Sequence, residues 1–154
     1  MGKILLVEDD QVFGTHVSDL LHRSGFKVSW VSTVREALGT LGSSDDIDGV
    51  VLDLLLPNGD GMEVLKAVEK SAASVPVVVV TALEREELEE IAIMFGAHDF
   101  LYKKNLNEEE LVRALRHAVV RHRVRGEFKP LNGLLAKAEE KMAQADKLVE
   151  SISP

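Results

Sequence analysis

The chain has 154 residues, enough for one domain that buries a real core without staples, and it holds no cysteine, which rules out disulfides and thiolate metal sites. Its formal charge of -8 argues against a nucleic-acid-binding surface over the whole molecule, because phosphate contacts need clustered Lys and Arg. The one basic stretch, Arg113, Arg116, Arg121, Arg123 and Arg125, reads as a solvated helix end, so no direct nucleic-acid binding is expected.

Met1 leads into the apolar run Ile4 to Val7, which ends at Glu8. That run is too short for a signal peptide or a membrane span, so a cytoplasmic protein with no membrane contact is expected. A helical pattern follows at Val12, Val17, Leu20 and Leu21, then a second strand-like run, Val28 to Val31. Ala37, Leu38 and Leu41 mark a second helix, Val50 to Leu52 a third strand, and Met62, Leu65 and Val68 a third helix. Val77 to Val80 is the fourth strand, Leu88, Ile91, Ala92 and Phe95 the fourth helix, and Phe100 to Tyr102 the fifth strand. Leu111, Leu115, Ala118 and Val119 close the series as a fifth helix. Gly25, Gly42 and Gly96 stand where left-handed caps of helices one, two and four are expected. The short Val- and Ile-rich runs suit strands covered on both faces. Strict alternation predicts a doubly wound α/β domain, a five-stranded parallel sheet with five helices, over residues 1–125.

Beyond Gly126 the alternation stops. Leu131, Leu135, Ala138, Met142, Ala145, Val149 and Ile152 recur at steps of four and three, with Lys137, Glu139, Glu140, Lys141 and Lys147 off that seam. Residues 126–154 therefore read as a helical tail with a heptad-like seam, suited to pairing with a second chain or to leading into an output domain. Folding back on the same domain is the plainer alternative.

The chemistry gathers at strand ends. Carboxyl ends of parallel strands open on one edge, so residues far apart in sequence meet there. A single acid after the first strand would be a helix cap. Glu8, Asp9 and Asp10 in succession exceed what a cap needs, and crowded carboxylates cost energy unless a cation or proton offsets them; a divalent metal is the economical explanation, and Mg²⁺ with its oxygen ligands and few required carboxylates is suited. Asp53 interrupts an apolar run that continues through Leu54, Leu55 and Leu56 to Pro57. A carboxylate there is partly desolvated, needs a partner, and can act as a nucleophile that forms an acyl phosphate. Thr81 and Lys103 are weak signals singly, but both fall on the same edge, where a hydroxyl and an ammonium can bind oxygens of a phosphoryl group.

The segments from Ile4 to Asp10, Val51 to Pro57, Val78 to Ala82 and Gly96 to Lys103 resemble, in order and spacing, the four signature regions of the response-regulator receiver domain of two-component signalling, with its flavodoxin-like, CheY-like fold. The resemblance covers roughly residues 1–125. It implies that Glu8 and Asp9 are the acidic pair, Asp53 the phospho-acceptor, Thr81 the switch hydroxyl, Phe100 the switch aromatic and Lys103 the lysine that contacts the phosphoryl group. It also implies Mg²⁺ held by Asp9, Asp53 and the main-chain carbonyl of Leu55, with Glu8 acting through water. The implied partner is a sensor histidine kinase or a phosphotransfer protein, with acetyl phosphate as a small donor. In such a domain Thr81 moves toward the phosphoryl group, Phe100 rotates inward, and the surface of helix four, strand five and helix five changes. A homodimer through that face or through the tail is a further implied partner.

The chain departs from the family pattern in two respects. Lys104 replaces the usual proline after Lys103, so a trans peptide is expected there. Leu55 and Leu83, two residues beyond Asp53 and Thr81, are apolar where hydrolytic water passes, and slow loss of the phosphoryl group is expected. A haloacid-dehalogenase-like phosphatase would need an acid at Leu55, and a flavodoxin-like electron carrier would need a phosphate-binding loop after the first strand. A degenerate receiver serving as an unphosphorylated interaction module is the remaining alternative, and the intact set of site residues counts against it.

Overall fold

The computed structural model describes residues 2–57, 59–71, 75–127 and 142–144, with backbone alone for 123–127. The chain divides into two compact units, Met1–His122 and Arg123–Pro154. The first contains strands β1 (Lys3–Val7), β2 (Lys27–Val31), β3 (Ile47–Leu52), β4 (Val77–Thr81) and β5 (Asp99–Tyr102). Their order across the all-parallel sheet is β2-β1-β3-β4-β5. The helices are α1 (Gln11–Arg23), α2 (Val34–Ser43), α3 (Gly61–Lys70), α4 (Glu86–Met94) and α5 (Glu108–Glu127). No helix among the described residues is long and apolar enough to cross a membrane.

Side chains alternate across the sheet, and two cores result. Leu5, Val7, Val50, Leu52, Val77 and Val79 pack with Val34 and Ala37 of α2, Met62, Leu65 and Val68 of α3, and Ala92 of α4. On the other face Ile4, Leu6, Val51, Val78, Val80 and Leu101 pack with Val17, Leu20 and Leu21 of α1 and Leu111, Leu115 and Ala118 of α5. The expected sandwich is the one found.

Local chemistry explains the helix ends. Asp10 caps α1, accepting from the amides of Val12 at 3.0 Å and Phe13 at 3.1 Å. Thr33 caps α2 through the Glu36 amide, and the Glu36 carboxylate accepts from the Thr33 hydroxyl in return. Asp60 caps α3. Gly25 and Gly96 follow α1 and α4 with φ of 93° and 97°, the left-handed conformation that glycine adopts freely.

Several expectations need correction. Gly42 lies inside α2 and is no cap, since the helix continues through Ser43. Val12 is exposed, because it stands five residues before Val17 and off the apolar face; Phe13, four before Val17, packs there instead. Leu38 and Ile91 likewise sit at the margins of their helices, and α4 buries Ala92 with Leu88 and Phe95 only partly covered. The peptide after Lys103 is trans, as expected, and a 3-10 turn, Lys103–Asn105, carries the chain toward α5. In the second unit, residues 142–144 are helical and Met142 is exposed. The other seam positions of the predicted tail lie outside the described residues.

Candidate functional site

The sheet register dictates which residues meet. Val7 at the end of β1 pairs with Leu52 at the end of β3, so Glu8 and Asp53 leave the sheet side by side. Their main chains are held in the ladder: the Glu8 amide donates to the Val31 carbonyl and the Asp53 amide to the Val7 carbonyl, both at 3.0 Å. Thr81 pairs with Tyr102 across β4 and β5, which places Lys103 at the same edge.

Glu8, Asp53 and Thr81 are the buried polar side chains among the described residues. The Lys103 ammonium forms an ion pair with Glu8 Oε1 and another with Asp53 Oδ2, the latter at 3.0 Å. It also lies 4.4 Å from the centroid of the Phe13 ring, a cation–π contact that fixes it from the α1 side. The second Asp53 oxygen, Oδ1, accepts from the Leu55 amide at 3.0 Å.

One buried oxygen, Glu8 Oε2, has no partner among the described residues. An orphaned carboxylate oxygen at this depth is costly unless a cation or a proton meets it. Carboxylate oxygens of Glu8, Asp9 and Asp53 lie within 4.8 Å of one another, and Asp9 is exposed, so the cluster opens to solvent on one side. Hard oxygen donors with room for retained water fit Mg²⁺. Burial, aided by the facing Asp53 carboxylate, raises the Glu8 pKa to about 8 against the pull of Lys103. Burial works to lower the Lys103 pKa, but the two carboxylates outweigh it and the pKa is raised.

Other predicted site residues fall as follows. Asp10 is turned to capping and stands outside the carboxylate cluster. The Thr81 hydroxyl, fully buried, accepts from the Leu83 amide at 3.3 Å. Leu55 follows Asp53 into a two-residue pairing of Leu55–Leu56 with Gly59–Asp60. Phe100 is already buried in the core against α4, and its ring meets Tyr102 edge to face, 5.4 Å between centroids. Tyr102, passed over in the sequence as a strand residue, donates from its hydroxyl to Glu89 Oε2 of α4 at 3.0 Å.

Gly61 was equally invisible as a site residue. A Cβ there would lie 2.6 Å from Leu54 Cα and 2.7 Å from the Asp53 carbonyl, so the start of α3 rests directly on the backbone that carries Asp53. Gly61→Ala must push that backbone aside. A stability loss of about 1–3 kcal/mol, the usual range for overpacking, is expected in urea unfolding. An unchanged midpoint would show that the segment yields freely.

The family model for the response regulator receiver domain matches residues 4–116. The chain belongs to the response-regulator receiver family. The swarming motility regulation protein RssB of Serratia marcescens is 39% identical over 100 residues, covering 65% of this chain and 45% of that protein. Receiver structures superpose closely. The signal receiver domain of a protein described as a LuxO repressor, from Vibrio parahaemolyticus, matches with a TM-score of 0.77 at 25% identity over 83% of this chain and 97% of that one. The receiver domain of the sensor histidine kinase PA1611 from Pseudomonas aeruginosa, solved with magnesium in its active-site cleft, matches with a TM-score of 0.69 at 27% identity over 77% of this chain and 98% of that one. This receiver spans about half the length of the curated relatives it matches.

Proposed function

We propose that Asp53 accepts a phosphoryl group from a histidine kinase, a phosphotransfer protein or acetyl phosphate, and that the phosphorylated receiver signals through the face formed by α4, β5 and α5. The observation that carries this reading is a buried carboxylate at the end of β3 facing a lysine at 3.0 Å, with two further carboxylates within 4.8 Å. An oxygen of Asp53 forms the new bond to phosphorus while the bond to the donor's nitrogen or oxygen breaks, and the donor leaves with that electron pair. The Leu55 amide orients the nucleophile, and Lys103 offsets charge on the transferred oxygens. Asp9, Asp53 and the Leu55 carbonyl are the residues that would hold Mg²⁺, with Glu8 behind them; when bound, the cation supplies charge neutralisation of the phosphoryl oxygens. Intact-mass measurement after treatment with a phosphoryl donor tests the assignment.

Thr81 carries the hydroxyl at the end of the neighbouring strand β4, and while its oxygen accepts from the Leu83 amide it retains an O–H that can donate to a phosphoryl oxygen. The readout passes from buried Phe100 through its contact with Tyr102 and the Tyr102–Glu89 hydrogen bond to α4. Ile91, Ile93 and Met94 of α4 and Val120 of α5 are exposed apolar side chains, which support a docking role for this part of the molecule. A second copy or an output partner is the proposed occupant, and light scattering of the intact chain with and without donor distinguishes the two.

The acidic run separates into two roles. Asp9→Ala is expected to weaken Mg²⁺ binding at least tenfold by titration calorimetry, with little effect on stability. Asp10→Ala should leave Mg²⁺ binding near that of the parent and lower stability by about 1 kcal/mol through loss of the α1 cap. Equal losses of Mg²⁺ affinity would shift the proposed pair by one residue.

A further inference from the structure

We infer that Trp30 is a positioning residue for the acidic pair, acting through the main chain of Glu8; this rests on the proposed metal-dependent phosphorylation and names a further residue for it. The Trp30 indole N–H donates to the Glu8 carbonyl at 2.9 Å. The Glu8 amide is held at 3.0 Å by the carbonyl of Val31, the next residue of the same strand. Both main-chain groups of Glu8 are therefore tied to β2, one by backbone and one by a side chain. A carbonyl shares its rigid plane with the following amide, so the bond to Trp30 also fixes the plane from which Asp9 departs. Two residues on, Asp10 is pinned by its cap bonds to Val12 and Phe13. Glu8 and Asp9 are thus held between two anchors, one on β2 and one on α1.

The indole has its seat in α1. A Cβ at Gly14 would lie 2.1 Å from the Trp30 ring, so no residue larger than glycine fits beneath it. Gly14 is helical and donates to the Asp10 carbonyl at 2.8 Å, a place where alanine would favour the helix more. The helix therefore carries an unfavourable residue at the one point where the indole crosses it. Mg²⁺ tolerates little departure from octahedral geometry, which makes a fixed Glu8–Asp9 plane consequential for a site in which Asp9 would be a ligand and Glu8 would stand behind it.

The test is Trp30→Phe, which keeps a ring over Gly14 and removes the N–H. Mg²⁺ affinity by titration calorimetry should fall about tenfold, the lower end for loss of a supporting hydrogen bond behind a metal site. Amide exchange at Glu8, whose N–H is bonded to Val31, should accelerate in the metal-free protein. With acetyl phosphate, the Mg²⁺ concentration for half-maximal rate should rise while the rate at saturating Mg²⁺ returns to that of the parent. In the parent itself, the indole N–H should be protected from exchange and its NMR signal should move on Mg²⁺ addition, a result that needs no variant to fold. Parental Mg²⁺ affinity and Glu8 amide exchange in Trp30→Phe, or a freely exchanging indole N–H in the parent, would overturn the inference. A parent that neither binds Mg²⁺ nor is phosphorylated would instead defeat the functional reading beneath it.

Discussion

Treated with acetyl phosphate and Mg²⁺, the intact chain should gain the mass of one phosphoryl group, and Asp53→Asn should gain none. The expectation is all-or-none because the side chains around Asp53 offer no substitute nucleophile in its position. Glu8 is buried and bound to Lys103, Asp9 is exposed, and the Thr81 hydroxyl is held by Leu83. An asparagine side chain in place of Asp53 would keep the volume and the bond from the Leu55 amide while losing the charge that attacks phosphorus. Chelation of Mg²⁺ should suppress the parent's gain as well, since three carboxylates within 4.8 Å repel an incoming anion unless a cation offsets them. An adduct that survives Asp53→Asn would move the acceptor elsewhere.

Replacing Lys103 by Met is expected to have the next largest effect, on stability and on signalling separately. The ammonium is the cation that joins Glu8 to Asp53, and removing one member of a largely buried ion cluster leaves the others uncompensated. A loss of about 3 kcal/mol in metal-free urea unfolding follows from the lower end of such measurements. The lower end applies because the Glu8 carboxyl, with its pKa raised to about 8 even beside Lys103, is largely protonated near neutral pH and leaves Asp53 as the main uncompensated charge. Mg²⁺ should restore some of that stability, as any cation bound by the folded state alone does. Phosphorylation of Asp53 should persist in part, because the nucleophile remains. Amide-exchange changes around Phe100 and Tyr102 on phosphorylation should vanish, because Lys103 is the link from Asp53 to the end of β5. A variant that matches the parent in both measurements would transfer the role, with exposed Lys104 the first candidate.

The fold was legible because its signals are long and repetitive. Five apolar runs separated by helical periods leave little choice of architecture, and the sheet edge then follows from topology. The convergence of Glu8, Asp9, Asp53 and Lys103 is legible for the same reason: each follows a strand. What stayed hidden depends on side-chain reach between elements. Nothing in the sequence links Trp30 to Glu8 or Gly14 to Trp30, since the contacts join β2 to the end of β1 and to α1 across the sheet. Tyr102 looked like strand filler because its partner, Glu89, belongs to a helix with many acids, any of which could have faced solvent. Gly42 shows the converse error. A glycine near the end of a periodic pattern is a cap only if the pattern stops there, and α2 runs one residue further. Val12 was misplaced because its spacing to Val17 does not match the helical period, which Phe13 satisfies.

The ion pair between Lys103 and Glu8 joins residues 95 apart in the chain, and the pair with Asp53 spans 50. In order of synthesis the lysine emerges last of the three, just after the strand that completes the sheet. A nascent chain that has released β1 through β4 already contains both carboxylates but lacks the cation that holds them together. Parallel pairings of such long separation form late, after the loop-closure entropy has been met by other contacts. The receiver therefore gains its lysine-bridged site only with docking of β5. A partly built chain would carry the acceptor residue without the cation that engages it.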